Sequence, residues 1–332
     1  MSRPLVLLFG GQSSRDERMF DRLEAADPVV GARARRQAEE LVGGDPTDFA
    51  TNRTVQISVT AVTLGWLDVA NAGGLHSAAS AGLSLGEYAH LVDIGAIAPD
   101  DCLALVERRG RLYDQGPDGA MAAIFPAAWE ELAPLVELVA HANGGPTALA
   151  PAVFNSPTQT VVAGAREGLA MLIDAAEEEL YARGVVVEDR IPMHTPLFEP
   201  VSKPFRRVLD DAPWKGEARM DYWPNVTAEP TPADPATVRE CLARHVFEPV
   251  RWHATIDALV ATHPDGVFLE VGPRTVLRDL MLRRWHADRD VFAIDDPDLP
   301  TDSVSAEVAS TLDAVRKALV PHETATALEG DG

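Results

Sequence analysis

Cysteine is scarce in this 332-residue chain, which holds only Cys102 and Cys241. The two are far apart in sequence and fit no metal-ligand spacing, so we expect neither a metal centre nor a disulfide framework. Two lone cysteines in a chain of this length are typical of reduced core residues in a cytosolic protein. A cytoplasmic location is therefore predicted.

Long apolar runs are lacking as well. A membrane-spanning helix needs roughly 18 or more apolar residues, and no run in this chain approaches that length. The opening segment MSRPLVLLFGGQ has one basic residue and a short apolar run at 5–9. Because no small-residue cleavage site follows a longer apolar stretch, we interpret 5–9 as a buried first strand rather than a signal peptide.

Lysine is the third scarcity, with only Lys203, Lys215 and Lys317. The 51 acidic and 29 basic residues give a net charge of −22, which argues against nucleic acid as a partner. An acidic partner would need a local arginine patch instead. The 46% hydrophobic content is ample for a core, and the length suits one large domain or two lobes. We expect a monomer.

The pentapeptide Gly82-Leu83-Ser84-Leu85-Gly86 is the most informative feature that is present. A G-x-S-x-G sequence between an apolar run and a helical pattern is typical of a sharp strand-to-helix turn that exposes a nucleophilic serine. Its glycines tolerate strained backbone, and the following helix points free N–H groups at a developing oxyanion. We predict that Ser84 is a nucleophile, although a helix-capping serine would also fit the pattern.

A serine hydroxyl needs a base to take its proton, and His194 stands out among the nine histidines. It lies in Ile191-Pro192-Met193-His194-Thr195-Pro196, a loop between a predicted strand and helix in which the prolines fix the backbone. The main rival, His90, follows Ser84 by six residues on one helix. At ~100° per residue it lies nearly on the opposite side and cannot reach the serine.

Three further polar residues are candidates on weaker grounds. Arg109 in LVERRG could pair its planar fork with a carboxylate, and Gln12 in the Gly-rich turn could donate to an oxyanion. Asn225 follows a predicted strand. From spacing alone, a surface arginine is the favoured interpretation of Arg109, while plain loop polarity and a turn residue are the alternatives for Gln12 and Asn225.

The periodicity predicts two lobes. The region 120–191 is predicted to form a β-α-β-β-α-β unit of ferredoxin-like order, inserted into a larger α/β lobe made of 1–119 and 192–320. A polar tail at 321–332 is expected to be disordered. The expected strands are 5–9, 75–82, 120–125, 151–155, 159–163, 185–191, 220–226, 267–271 and 291–294. The expected helices are 17–24, 31–42, 55–72, 84–95, 101–115 capped by Asp100, 127–142, 166–182, 197–211, 235–246 and 274–284.

Nine sequence blocks, in order from about Leu5 to Ile294, resemble the malonyl-CoA:acyl-carrier-protein transacylases and the acyltransferase domains of polyketide synthases. They are FGGQ, GLSLGEY, LVERRG, GAMAAI, VFNSPTQTVVAG, MHTPLF, PNVTAEP, FEPVRW and FLEVGPRTVL. One such block would be a weak signal, whereas nine in the family's order are a strong one. The resemblance implies an α/β-hydrolase-like lobe with a parallel sheet, plus the small ferredoxin-like subdomain.

The same resemblance implies roles for individual residues. Ser84 would be acylated, with His194 as general base and then general acid, oriented by the main-chain carbonyl of Asn225. The backbone N–H groups of Leu85 and Gln12 would form the oxyanion hole. Arg109 would bind the free carboxylate of a malonyl-type group. The expected substrate is a coenzyme A thioester, the partner is an acyl carrier protein, and no bound cofactor is needed.

Two positions depart from the family pattern. Leu83 stands where the family usually has histidine, so substrate positioning or rate could differ. Met193, directly before the catalytic histidine, is bulkier than serine and more pliable than phenylalanine. Both are expected to contact substrate, and Met193 favours an unsubstituted malonyl unit without settling the substituent. The malonyl group could serve fatty-acid or polyketide synthesis.

Other functions remain open on the sequence. A hydrolase editing acyl carrier proteins, or an acyl-carrier transferase, could use the same residues, while Arg109 argues against broad editing. An α/β-hydrolase esterase lacks a suitable late Asp-then-His pair. A catalytically silent docking subunit is supported by Leu83 alone. Candidate contacts for a carrier, for most of which ordinary surface charge is the favoured reading, are Arg190, Lys203, Arg206, Arg207, Arg274, Arg278, Arg283 and Arg284.

Overall fold

The computed structural model describes residues 2–321, except for the side chain of Arg284. Within them the chain forms eight strands and twelve α-helices. The strands are β1 (Leu5–Phe9), β2 (Ala79–Gly82), β3 (Ala120–Phe125), β4 (Leu149–Ser156), β5 (Gln159–Gly164), β6 (Arg183–Glu188), β7 (Val267–Val271) and β8 (Val291–Ala293). The helices are α1 (Met19–Ala26), α2 (Pro28–Val42), α3 (Asn52–Ala72), α4 (Gly86–Asp93), α5 (Pro99–Tyr113), α6 (Trp129–Ala142), α7 (Arg166–Leu180), α8 (Glu199–Asp211), α9 (Pro235–His245), α10 (Trp252–Thr262), α11 (Val276–Arg284) and α12 (Val304–Ala318).

The first sheet is parallel, in the order β2-β1-β7-β8. Every residue of β1 is buried, which explains its uninterrupted apolar sequence, because helices cover both faces of a parallel sheet. Phe9 pairs in register with Gly82 and with Val271. The carboxyl ends of β1 and β2 therefore meet at one edge, and this brings the turn at 10–12 beside the segment around Ser84.

The second sheet is antiparallel, in the order β4-β5-β3-β6. With α6 and α7 it gives the β-α-β-β-α-β order of a ferredoxin-like unit, as the sequence predicts. Alternate side chains of β3 separate the two cores. Ala122 and Ile124 pack in the core that includes Leu132 and Leu169 of the helices, whereas Met121 and Ala123 join the core of the first sheet.

The predicted α/β fold class is thus confirmed. The chain leaves the first sheet after α5 and returns after β6. At this crossing the N–H of Gly119 donates to the carbonyl of Arg190 at 3.0 Å. The two connecting segments are therefore held side by side.

Some local expectations are wrong. The segment 220–226 is not a strand, because only the bridge between Tyr222 and Thr231 forms there. Helices α10 and α12 were not expected. Asp100 lies inside the first turn of α5, whose N-cap is Ala98, because Pro99 begins the helix and needs no N–H partner at that position. The tail from 322 to 332 lies outside the described residues. No helix in the described part of the chain has the length and apolarity to span a bilayer.

Candidate active site

A tight elbow joins β2 to α4 and presents Ser84. The serine has φ +51°, in the left-handed region that non-glycine residues rarely adopt. The flanking glycines allow the packing. A Cβ on Gly82 would lie 2.0 Å from the carbonyl carbon of Gly86, and a Cβ on Gly86 would lie 2.1 Å from the carbonyl oxygen of Phe9. The G-x-S-x-G sequence is therefore required by close backbone contacts as well as by the turn.

The side chain of Asn225 holds the elbow in place. Its Oδ1 accepts the Ser84 N–H at 2.7 Å, and its Nδ2 donates to the Gly82 carbonyl at 2.7 Å. The expectation that its main-chain carbonyl orients His194 is wrong, because His194 Nδ1 lies against the carbonyl of His245 instead, and the Asn225 carbonyl accepts the N–H of Arg251 at 2.9 Å. Asn225 supports the nucleophile rather than the base.

His194 lies within hydrogen-bonding distance of Ser84, with 2.8 Å between Nε2 and Oγ. Its Nδ1 lies 2.6 Å from the carbonyl oxygen of His245, the last residue of α9. Carbonyls at a helix C-terminus lack partners within the helix, so this one is free to accept. The contact assigns the proton to Nδ1 and leaves Nε2 to accept the Ser84 hydroxyl proton.

Burial sets the protonation of the base. His194 is 1% exposed, and its pKa lies well below the usual 6.5, first because burial disfavours the imidazolium and then because of the charges of His245 and Arg109. The carbonyl of His245 acts in the opposite direction, since it stabilises the charged form. The unprotonated base is therefore the ground state at neutral pH.

The predicted oxyanion donors lie at the same edge of the sheet. The turn at 10–12 packs against the elbow, where the Leu83 N–H donates to the Phe9 carbonyl at 2.9 Å. The Gln12 side chain donates a 3.1 Å hydrogen bond from Nε2 to Glu188. In residues 2–321, no acceptor is found for the backbone N–H of Gln12 or of Leu85, and both remain free to bind an oxyanion.

Arg109 is a buried cation without an anion. It is 1% exposed, and neither Nη1 nor Nη2 has a hydrogen-bond partner among the described residues. The guanidinium lies over the rings of Tyr113 and Tyr88, at 4.0 and 5.2 Å from their centroids. Cation–π contacts compensate only part of the cost of burial, so the fork is available for an incoming carboxylate.

A cavity of about 300 Å³ opens onto Ser84 and His194. Leu83 and Met193, both expected to contact substrate, line it, whereas Arg109 lies outside the lining. The opposite wall is mostly apolar and comes from the second sheet. The wall residues are Met121, Ala123, Phe125, Val153, Val161, Val185 and Val187, with Asn155, Gln159 and Glu188 as polar members.

Several candidate carrier contacts are already engaged within the chain. Arg190 contacts Glu188, Arg206 contacts Glu240, and Arg278 contacts Asp279 and Asp296. Arg283 is 75% exposed beside Asp279. Lys203 and Arg207 are exposed on α8. Nothing is described for the side chain of Arg284.

Sequence reasoning missed two buried residues at the site. The ring of His245 stacks on that of His194, with 4.6 Å between centroids and 17° between planes. Glu87, fully buried on α4, lies 2.9 Å from His245 Nδ1. Glu87 follows the elbow directly, but nothing in the sequence pairs it with a residue 158 positions away. In residues 2–321 no cluster of three or more His, Cys, Asp or Glu could hold a metal.

Comparison with known proteins identifies the family to which this chain is similar. Residues 14–296 match the acyl transferase domain family. The malonyl CoA-acyl carrier protein transacylase of Bacillus subtilis strain 168 is 27% identical over 307 residues, which cover 89% of this chain and 94% of that protein. FabD from Acinetobacter baumannii is 26% identical at a TM-score of 0.83, covering 96% and 100% of the two chains. A malonyl-transacylase solved with a type II polyketide synthase acyl carrier protein is 27% identical at a TM-score of 0.80, covering 93% and 99%.

Proposed function

Because this chain belongs to the acyl transferase domain family, we propose that it transfers a malonyl group from coenzyme A to the phosphopantetheine thiol of an acyl carrier protein, through an ester on Ser84. The observation that carries the proposal is the unpaired, buried guanidinium of Arg109, whose charge acts on His194 in the hydrogen-bonded Ser84–His194 pair. The names of the similar proteins support the same substrate and partner.

The chemistry divides into two half-reactions. In the first, His194 Nε2 takes the hydroxyl proton of Ser84 while Oγ attacks the thioester carbonyl. The tetrahedral intermediate collapses when the carbon–sulfur bond breaks, and His194 returns the proton to the departing coenzyme A thiolate. In the second, the carrier thiol gives its proton to Nε2 and its sulfur attacks the ester carbonyl. The bond between Ser84 Oγ and the acyl carbon then breaks, and Nε2 returns the proton to Oγ.

The negative charge that develops on the reacting carbonyl oxygen is stabilised by the oxyanion donors. The free N–H groups of Leu85 and Gln12 would bind the developing oxyanion, and each such donor typically contributes roughly 10²–10³ in rate. The carbonyl of His245 helps in the same step, because it stabilises the imidazolium that His194 becomes.

Arg109 would select the acyl group. A malonyl carboxylate supplies the anion that this guanidinium lacks, and losing one partner of such a buried pair costs about 2–5 kcal/mol. An acetyl group leaves the cation unpaired. The protein would act as a cytoplasmic monomer, with coenzyme A present as substrate rather than as a bound cofactor.

Intact-protein mass spectrometry tests the proposal. After brief incubation with malonyl-, methylmalonyl- and acetyl-CoA, we expect a malonyl adduct that is absent in Ser84→Ala and is discharged by a phosphopantetheinylated carrier protein. A wild-type protein that takes up none of the three groups would overturn the proposal. Release of free malonate, without transfer to the carrier, would favour a hydrolase instead.

A further inference from the structure

The catalytic histidine is not alone beneath the elbow. His245 covers one face of the His194 ring, with centroids 4.6 Å apart and planes within 17°. Both rings are 1% exposed, so water does not screen them from each other. His245 thus contacts His194 twice, through its main-chain carbonyl at Nδ1 and through its own ring.

At its ring edge His245 meets a carboxylate. Oε2 of Glu87 lies 2.9 Å from His245 Nδ1, which is within ion-pair distance. Oε1 of Glu87 accepts the Tyr222 hydroxyl and, at 3.4 Å, the Asn225 N–H. A fully buried carboxylate is costly without a cation, and among the described residues no arginine or lysine pairs with Glu87.

The other ionisable groups facing the cluster do not supply that cation to Glu87. Burial raises the pKa values of Tyr88 and Tyr222 and brings that of Cys241 to about 11, so all three stay neutral near pH 7. Arg109 is positive, but it lies over Tyr88 and Tyr113 instead. Within residues 2–321, His245 is the one group in contact with Glu87 that can become a cation.

We propose that Glu87 and His245 form a buried ion pair that positions His194 and adds to the effect of burial in opposing its protonation. The proposal rests on the acyl-transfer function of Ser84 and His194. A positive ring stacked on His194 opposes a second positive ring beside it, as like charges at this distance do. The neutral face of His194 meanwhile stabilises the charged His245. His245 is a positioning residue, since it does not touch the reacting atoms.

Two substitutions test the role of the His245 ring while leaving its main-chain carbonyl in place. His245→Gln keeps the main-chain acceptor for His194 Nδ1 and removes the ring, while Glu87→Gln removes the charge that holds His245 protonated. In both we expect the acidic limb of the pH profile for malonylation of Ser84 to move to higher pH by about one unit. His90→Gln is the control, because His90 is equally buried on α4 but its ring nitrogens bond to Ser80 and Trp223 and its ring stacks on Tyr222 rather than on His194.

The outcomes are distinct. If both variants fold and keep the wild-type limb, or if the limb moves to lower pH in Glu87→Gln, the ion pair is overturned. Nitrogen NMR of histidine in Ser84→Ala at pH 7 gives a test without activity, in which we expect His245 protonated and His194 neutral. A neutral His245 there would also overturn the proposal. A wild-type protein that forms no malonyl adduct would instead refute the acyl-transfer function.

Discussion

The side chain of Asn225 bonds to the backbone on both sides of Leu83, accepting the Ser84 N–H and donating to the Gly82 carbonyl, each at 2.7 Å. One amide thus fixes two peptide groups of the elbow. Because Ser84 has φ +51°, the elbow is held by its surroundings and not by its own preference.

We expect Asn225→Ala to release this hold. The two buried groups that lose their partners should lower the free energy of unfolding by about 2–4 kcal/mol, and malonylation of Ser84 should slow. Asn225→Asp is the matched comparison, because aspartate can still accept the Ser84 N–H but faces the Gly82 carbonyl with another acceptor. Chemical denaturation and the acylation rate measure both effects. An unchanged free energy of unfolding in Asn225→Ala would show that the elbow keeps its conformation without Asn225.

Arg109→Ala should change which acyl group is accepted. Malonylation should fall by roughly 30-fold or more, as expected for the loss of about 2 kcal/mol or more, while acetylation is unchanged or rises. Arg109→Lys, which keeps the charge without the planar fork, should retain an intermediate preference. Competition between malonyl- and acetyl-CoA, read by mass spectrometry, gives the ratio. An unchanged ratio in the alanine variant would exclude Arg109 from carboxylate binding.

Two glycines give opposite expectations for the same substitution. Gly86→Ala places a Cβ 2.1 Å from the Phe9 carbonyl oxygen, so the turn or strand must move, and we expect a loss of several kcal/mol or failure to fold. Gly168→Ala, inside α7, meets Leu149 at an ordinary 3.4 Å and should stabilise the protein by about 0.5–1 kcal/mol. Thermal unfolding compares the two. Equal melting temperatures would contradict the close contact at Gly86.

The free energy of unfolding should decrease as the pH rises from mildly acidic to alkaline values, because of Glu270. Burial raises the pKa of this carboxyl from 4.5 to about 8, although the N–H groups of Leu277 and Arg278 act against the rise. Between these values the folded state binds a proton that the unfolded chain has released. The free energy of unfolding therefore decreases as pH rises through this window, and the contribution is lost above pH 8.

Glu270→Gln tests this linkage. Glutamine keeps one oxygen for the two N–H donors and cannot ionise, so the variant should lose the pH-dependent decline, which is on the order of a few kcal/mol. Denaturation at pH 5, 7 and 9 gives the slopes for both proteins. Parallel slopes would mean that Glu270 has an ordinary carboxyl in the folded state.

The sequence predicts local features of the site better than its long-range contacts. Ser84 follows from the two glycines around it, and His194 from its proline-bracketed loop, because both signals lie within a few residues. The carbonyl that orients His194 could not be assigned in this way, since any residue has one and only the end of α9 brings that of His245 close. The Glu87–His245 contact could not be predicted for the same reason, because it joins residues that are distant in sequence.

The fold shows a similar limit. The β-α-β-β-α-β order was predictable because each strand and helix has its own periodicity. The segment 220–226 is apolar enough for a strand. Its backbone instead forms one isolated bridge, between Tyr222 and Thr231, and the Asn225 carbonyl accepts the N–H of Arg251. Helix α10 begins directly at Trp252, inside a block whose pattern gives no helix-start signal, and α12 lies beyond the last family block.

The paired crossing at Gly119 and Arg190, with 3.0 Å between N and O, has an engineering consequence. The ferredoxin-like unit enters and leaves through adjacent points, so it can be treated as an exchangeable cassette. Grafting the corresponding segment of a relative between these two positions would leave Ser84, Arg109 and His194 on the recipient chain. The graft would replace the cavity wall that faces them, together with the hydrogen bonds of β4 to Val250 and of Glu188 to Gln12, so these contacts must be matched in chimaeras built at this junction to alter acyl preference.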